Sequence, residues 1–173
     1  MNKAILLIIL FTCINCFAST SKVELRRLIK HSEFVGTVYT DKVEKINGCG
    51  YLVSGKVAKT YKGKSSPIKF WITSSKDINS HTKKYFVIAH HKNKDSANCT
   101  QSKLYTGKNI QTIFPFDILE GDLILANRQS FLTTTDGQYY VFDDLVKKFK
   151  VINGKIHAMA SWEQISKQIL STN

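Results

Sequence analysis

The chain has 173 residues, 43 % of them hydrophobic, and its 25 Lys and Arg against 13 Asp and Glu give a formal net charge of +12. That length holds one domain with a real core, or two small lobes. Past the first residues no stretch is apolar enough to cross a bilayer as a helix, and there is no linker, repeat or low-complexity tract, which excludes a polytopic membrane protein and a repeat array.

The chain opens MNKAILLIILFTCINCFAST. Lys3 supplies a short positive region, Ala4 to Phe11 an apolar run of eight, and small polar residues follow. This is the anatomy of a secretory signal peptide, residues 1–18, cut after Ala18 so that the mature chain starts at Ser19. Two alternatives stand beside it. One is an uncleaved N-terminal anchor. The other is a lipoprotein modified at Cys13 or Cys16, although Leu10-Phe11-Thr12-Cys13 carries a threonine where such signals want a smaller residue. Cleavage removes Cys13 and Cys16 and leaves Cys49 and Cys99. Two cysteines in an exported chain suggest one disulfide, whose loop would enclose 51 residues; two free thiols in a reducing compartment are the alternative. No histidine stands at ligand spacing from either cysteine, so no zinc site is expected.

In chain order, Ser21 to His31 reads as a short helix. Ser21 and Glu24 fit a capping box, and Val23, Leu25, Leu28 and Ile29 form an apolar face. Phe34 to Lys45 is a strand, Asn47-Gly48 a turn, and Tyr51 to Tyr61 a second strand with Tyr51, Val53, Gly55, Val57 and Lys59 on one face. Gly55 inside it predicts a bulge or sharp coil. Ile68 to Thr73 is a third strand and Ser74 to Thr82 a polar loop. Lys84 to His91 is a fourth strand, apolar on both faces at its centre and therefore buried there. Asn93 to Thr100 is a polar loop carrying Cys99, and Gln101 to Tyr105 a short fifth strand. Several short strands separated by turn signals predict a small barrel or sandwich.

The order FVGTV (34–38), CGY (49–51), VAKTYKG (57–63), KFWI (69–72), KYFVIA (84–89) and Cys99 resembles the netrin-like domains related to tissue inhibitors of metalloproteinases. The resemblance covers about residues 33 to 105. It implies a five-stranded OB-type barrel, in which Gly36 starts the coil of the first strand and Lys62-Gly63 ends the second. The bacterial members it resembles are exported proteins without a defined activity. The metalloproteinase inhibitors of that family chelate zinc through an N-terminal Cys-x-Cys. This chain has none, so that mechanism does not carry over.

Beyond the resemblance, Ile110 to Phe116 is an apolar strand-like run closing at Pro115, Glu120-Gly121-Asp122 a turn, and Leu123 to Ala126 a strand. Thr135-Asp136-Gly137-Gln138 joins Ser130–Thr133 to Tyr139–Phe142 as a hairpin. Asp143 to Lys148 reads as a helical turn and Val151 to Ile156 as a tight turn between apolar residues. Ser161-Trp162-Glu163-Gln164 reads as a capping box opening a C-terminal helix with Trp162, Ile165 and Ile169 on one face. The expected fold is mainly β: a small OB-like five-stranded barrel with a β-rich C-terminal extension and short terminal helices. Residues 19–109 hold the first helix and barrel, and 110–173 the extension packed on it.

The chemistry-bearing residues are few. His90-His91 are neighbours on a strand, so they point to opposite faces and do not chelate one metal together. Asp143-Asp144 reads as a helix start or solvated turn. Asp117, Glu120 and Asp122 lack the ligand spacing of a calcium loop and read as a turn. Ser130 near Arg128 lacks a nucleophile-elbow context, and no glycine loop cradles a phosphate. Asn98-Cys99-Thr100 matches a glycosylation acceptor only for a eukaryotic secretory route. No catalytic residue, metal or cofactor is expected. The mature chain loses Lys3 and keeps 24 basic residues against 13 acidic ones. Lys56, Lys59, Lys62, Lys64, Lys69, Lys83, Lys84, Lys92 and Lys94 are scattered through strands and loops as solvating residues. Their charge attracts anionic envelope surfaces or polysaccharide. A nucleic-acid face would need aromatics beside them, and Tyr51, Tyr61 and Trp71 read instead as core or barrel rim, so no specific nucleic-acid partner is expected.

The resulting expectation is a periplasmic or extracellular, non-enzymatic binding or accessory protein of a bacterial envelope, with an unassigned protein or envelope partner and no membrane span after cleavage. The alternatives are an inhibitor of a secreted or envelope protease acting through a barrel loop, and an enzyme using His91 with an acid from the C-terminal half.

Overall fold

The computed structural model describes residues 25–64, 67–73, 78, 83–91, 99–106, 112–127 and 146–172. The signal peptide, the Ser21–Glu24 capping box, Asn98, the 130–142 hairpin with Arg128 and Ser130, and Asp143-Asp144 lie outside the described residues.

Helix α1 (Leu25–Lys30) precedes β1 (Phe34–Ile46), β2 (Gly50–Lys62), β3 (Ile68–Ile72), β4 (Lys84–His91) and β5 (Leu104–Tyr105). Then come β6 (Ile113–Pro115), β7 (Leu123–Asn127), β8 (Val146–Ile152), β9 (Lys155–Ala160) and helix α2 (Trp162–Leu170). The first five strands close a ring in the order β1-β2-β3-β5-β4 and back to β1, with β6 attached to β4. Among the described strands only the β3–β5 contact is parallel, at Trp71 and Tyr105. This is the expected OB-like barrel. The remaining strands form a three-stranded antiparallel sheet, β7-β9-β8.

The ring closes because β1 and β2 are long and coil. Their register slips three times, at Val35/Gly36, Thr37/Val38 and Thr40/Lys42. The last slip makes Asp41 the extra residue and sets Gly55 opposite Thr40. A side chain at Gly55 would run into the carbonyl of Tyr39, so only glycine allows the two strands to approach there. The slip at Thr37/Val38 corrects one expected face. Val57 pairs with Val38, but Lys59 pairs with Thr37, so the extra residue Ala58 turns Lys59 away from the Tyr51–Val53–Val57 side.

Alternation within the strands then builds two cores on opposite sides of one wall. Phe34, Val38, Val53, Phe70, Ile72, Tyr85, Val87 and Ala89 fill the barrel. Val35, Phe86 and Ile88 point outward and meet Leu25, Leu28 and Ile29 of α1, Phe114 and Phe116, Leu123 and Leu125, Ala158 and Ala160, and Ile165 and Ile169 of α2. β4 is therefore inaccessible on both faces from Tyr85 to Ala89, as its unbroken apolar run predicts. Trp162 closes the second core with its ring edge-on to Phe86, Phe116 and Tyr61.

Two local expectations are corrected. Val146 to Lys148 continue into β8 rather than forming a helical turn, because their backbone pairs with Met159 and Ala160 and sheet pairing overrides local preference. Asn153 and Gly154, both at positive φ, make the tight turn that returns β8 into β9. Ser161 stands at the start of α2 in an extended conformation, but its side chain makes no capping hydrogen bond; the capping box is not realised, and α2 is held by Ile165 and Ile169 in the second core.

Phe86 serves the second core directly and stiffens the strand that serves the first. Phe86→Ala is expected to cost about 3–5 kcal/mol and to lower the urea midpoint of one cooperative transition, seen at the same denaturant concentration by backbone and aromatic signals.

Candidate functional site

Cys49 follows the β1–β2 turn and Cys99 precedes β5, and the two are held at disulfide distance, Cα to Cα 5.7 Å. The segment from Cys99 to Thr106 lies over the outer side of β2 and β3. Leu52, Trp71 and Cys99 form a third cluster there, flanked by Ile46, Cys49 and Tyr105. Polar contacts fix the cover. The Trp71 indole donates to the Ser102 carbonyl at 3.1 Å, and the Ser102 hydroxyl donates to the Lys69 carbonyl at 2.6 Å. The Thr106 N–H and hydroxyl both donate to the Trp71 carbonyl, at 2.9 and 3.1 Å. Trp71 is 1 % exposed. The cysteines thus staple a lid across the part of the barrel's β2–β3 face that holds Leu52 and Trp71.

The acidic turn after β6 is also occupied, by residues the sequence reading missed. Asp117 accepts from the N–H of Leu119 at 3.0 Å and, more weakly, from that of Glu120. Lys150 on β8 donates to Asp117 and to Glu120, each at 2.7 Å. Lys148 pairs with Glu120 and lies 3.2 Å from Asp122. Partial burial pushes the Asp117 carboxyl up, but the hydrogen bonds from Lys150, Leu119 and Glu120 more than offset this and hold it below the usual range. Hydrogen bonds from Lys148 and then Lys150 lower Glu120, and the same contacts raise both lysines. Two ammonium groups thus sit among the three carboxylates of the turn and offset most of their charge. The available signal is Lys148-x-Lys150 at strand spacing; the helical turn expected over Asp143 to Lys148 takes in only the first of the two.

His90 and His91 diverge as expected. The Nδ1 of His90 lies 3.1 Å from the His31 carbonyl oxygen. The Nε2 of His91 lies 3.6 Å from Glu33, both side chains being exposed. Among the described residues, the acid beside His91 is Glu33 of the α1–β1 connection. These two residues edge an open cleft of about 550 Å³ whose floor is Phe34, Ile68 and Leu104 and whose rim includes Lys64 and Lys69. Among the described residues no group of three or more His, Cys, Asp and Glu is placed to hold a metal ion, and no helix is long and apolar enough to cross a membrane.

The aromatics a nucleic-acid face would need are engaged elsewhere: Trp71 lies under the lid, Tyr61 packs edge-on against Trp162, and Tyr51 packs against the barrel core. Half-buried His157 in the extension has its imidazole pKa lowered, first by burial and then by the charge of Lys155.

No protein-family model matches this chain, and no curated protein or solved structure matches it either.

Two outcomes follow. Cys49→Ser with Cys99→Ser is expected to lower stability by about 4 kcal/mol, the entropy of a loop of this size. It should also shift Trp71 emission to the red, read in a Trp162→Phe background, as the lid loosens. In the acidic turn, the folded Asp117 and Glu120 carboxyls titrate below their unfolded values. The stability they confer is therefore present above the ordinary carboxylate range near pH 4 and is lost as pH falls through their lowered folded values. The gap in urea midpoint between wild type and Lys150→Ala should be full at about pH 6 and shrink below about pH 4.

Proposed function

We propose that this chain is an exported, non-enzymatic binding or accessory module of a bacterial envelope, built on a netrin-like barrel. The observation that carries this reading is the Cys49–Cys99 staple. A long-range bridge that fixes a lid over a barrel face stabilises a small domain in an oxidising compartment and has no use in a reducing one. The apolar N-terminal run supports the same route. The polar clusters support binding over catalysis. The acidic turn is engaged by Lys148 and Lys150, and the His91–Glu33 pair is open to solvent rather than enclosed in a site.

A second reading, inhibition of a secreted or envelope protease, is favoured by one feature. The exposed tip Asn47-Gly48 is clamped beside Cys49 and so presents a loop of fixed shape, which lowers the entropy lost on docking.

The test uses the chain as bait in an envelope extract, with free chain as competitor, beside a panel of hydrolytic substrates and proteases. Saturable capture of one partner, displaced by free chain, is the expected result. Turnover of a substrate with no such partner would contradict it, and protease inhibition lost on altering Asn47 would favour the second reading.

A further inference from the structure

Among the described residues, the second core covers one side of the barrel's outer surface and the lid another. Neither reaches the outer face of β4, β1, β2 and β3 around Tyr39, which is 47 % exposed in mid-strand. Register places Lys84 on one side of Tyr39 and Lys56 on the other. Ser54, two residues before Lys56, is flanked by Lys42 and Lys69. The bulge at Ala58 turns Lys59 onto the same side. The face is therefore a two-dimensional array of lysines around one tyrosine, about 14 Å across its four strands.

Among the described residues its charge is not cancelled. β2, β3 and β4 contain no Asp or Glu. On β1, Asp41 and Glu44 lie past Tyr39 toward the hairpin end, and Glu44 is taken up by Lys42. Among the described residues, Lys56, Lys59, Lys69 and Lys84 form no ion pair, whereas Lys148, Lys150 and Lys167 of the extension all do. Lys84 is held instead against rings, 4.7 Å from that of Phe116 and 5.9 Å from that of Tyr39, so its ammonium is positioned without being neutralised.

We propose that this face docks on an anionic lipid bilayer surface; the assignment rests on the reading of the chain as a binding module and names its partner. Lysines dispersed over neighbouring strands match a plane of lipid phosphates, which offers charge at any spacing. Tyr39 supplies the amphipathic ring that suits the headgroup layer. A sugar chain would want a groove, and a single-stranded nucleic acid a row of stacking rings, whereas Trp71 is buried and Tyr61 is packed.

The test is co-sedimentation of the chain with phosphatidylcholine vesicles, with and without a minor fraction of phosphatidylglycerol. Binding is expected only to the anionic vesicles and should weaken with salt. Lys56→Gln with Lys84→Gln should weaken it roughly thirtyfold, the worth of two lysines at an anionic leaflet. Tyr39→Ala should weaken it several-fold, and Lys56→Arg with Lys84→Arg should retain it. Lys155→Gln with Lys167→Gln removes the same charge from the extension and should leave binding within about twofold. All chains share one N-terminus, so whatever that segment contributes is common to them. Equal loss in the extension variant, equal binding to neutral vesicles, or capture by polygalacturonate or oligothymidylate but not by vesicles would overturn the assignment. If vesicles fail while the envelope pull-down still yields a partner, this assignment falls and the module reading stands; if both fail, both fall.

Discussion

The structure depends on one strand being buried twice. From Tyr85 to Ala89, β4 alternates between the barrel interior and the second core without exposing a side chain. A strand of this kind cannot be left half-covered. Removing the extension would bare Val35, Phe86 and Ile88 as a contiguous apolar patch, and such patches drive association. The extension, α1 and α2 are thus part of what makes the barrel stable. The barrel in turn supplies the surface on which two small helices and a three-stranded sheet, each too short to stand alone, bury their apolar sides.

The same arrangement explains where the chain remains available for partners. The extension covers one side of the barrel, and the lid stapled by Cys49 and Cys99 covers another. Charge follows cover. The extension cancels its own charge through Lys148, Lys150 and the acidic turn. The face around Tyr39, which neither of these covers, keeps four lysines without carboxylate partners among the described residues. Excess charge that self-repulsion would otherwise penalise is thereby concentrated where it can meet an anionic surface.

Much of the barrel was legible because its signals are local and periodic. Lys84 to His91 could be read as a doubly buried strand from its apolar run, and Gly55 as a distortion because glycine in a strand has few other reasons to be there. The cysteine pair followed from counting. What could not be read were consequences of pairing between distant segments. Lys59 left its expected face because Ala58 bulges, which depends on β1. Val146 to Lys148 became strand because β9 was there to pair with them. Ser161 lost its capping role once α2 was fixed by tertiary contacts. The cluster of Lys148 and Lys150 with Asp117 and Glu120 joins residues about thirty apart in sequence, which no local pattern announces. Tyr39 read as one more strand residue until register put a lysine on each side of it.

The central claim is that barrel and extension form one folding unit because β4 and β1 serve both cores. Native-state amide hydrogen exchange under increasing denaturant tests it most directly. The account predicts that the amides of Phe86 to Ala89 in β4 and of Ala158 and Met159 in β9 exchange through the same global opening, with one common free energy. Exchange of β9 and α2 through a lower-energy opening that leaves β4 protected would contradict it, and would make the extension a separately folding addition to a self-sufficient barrel.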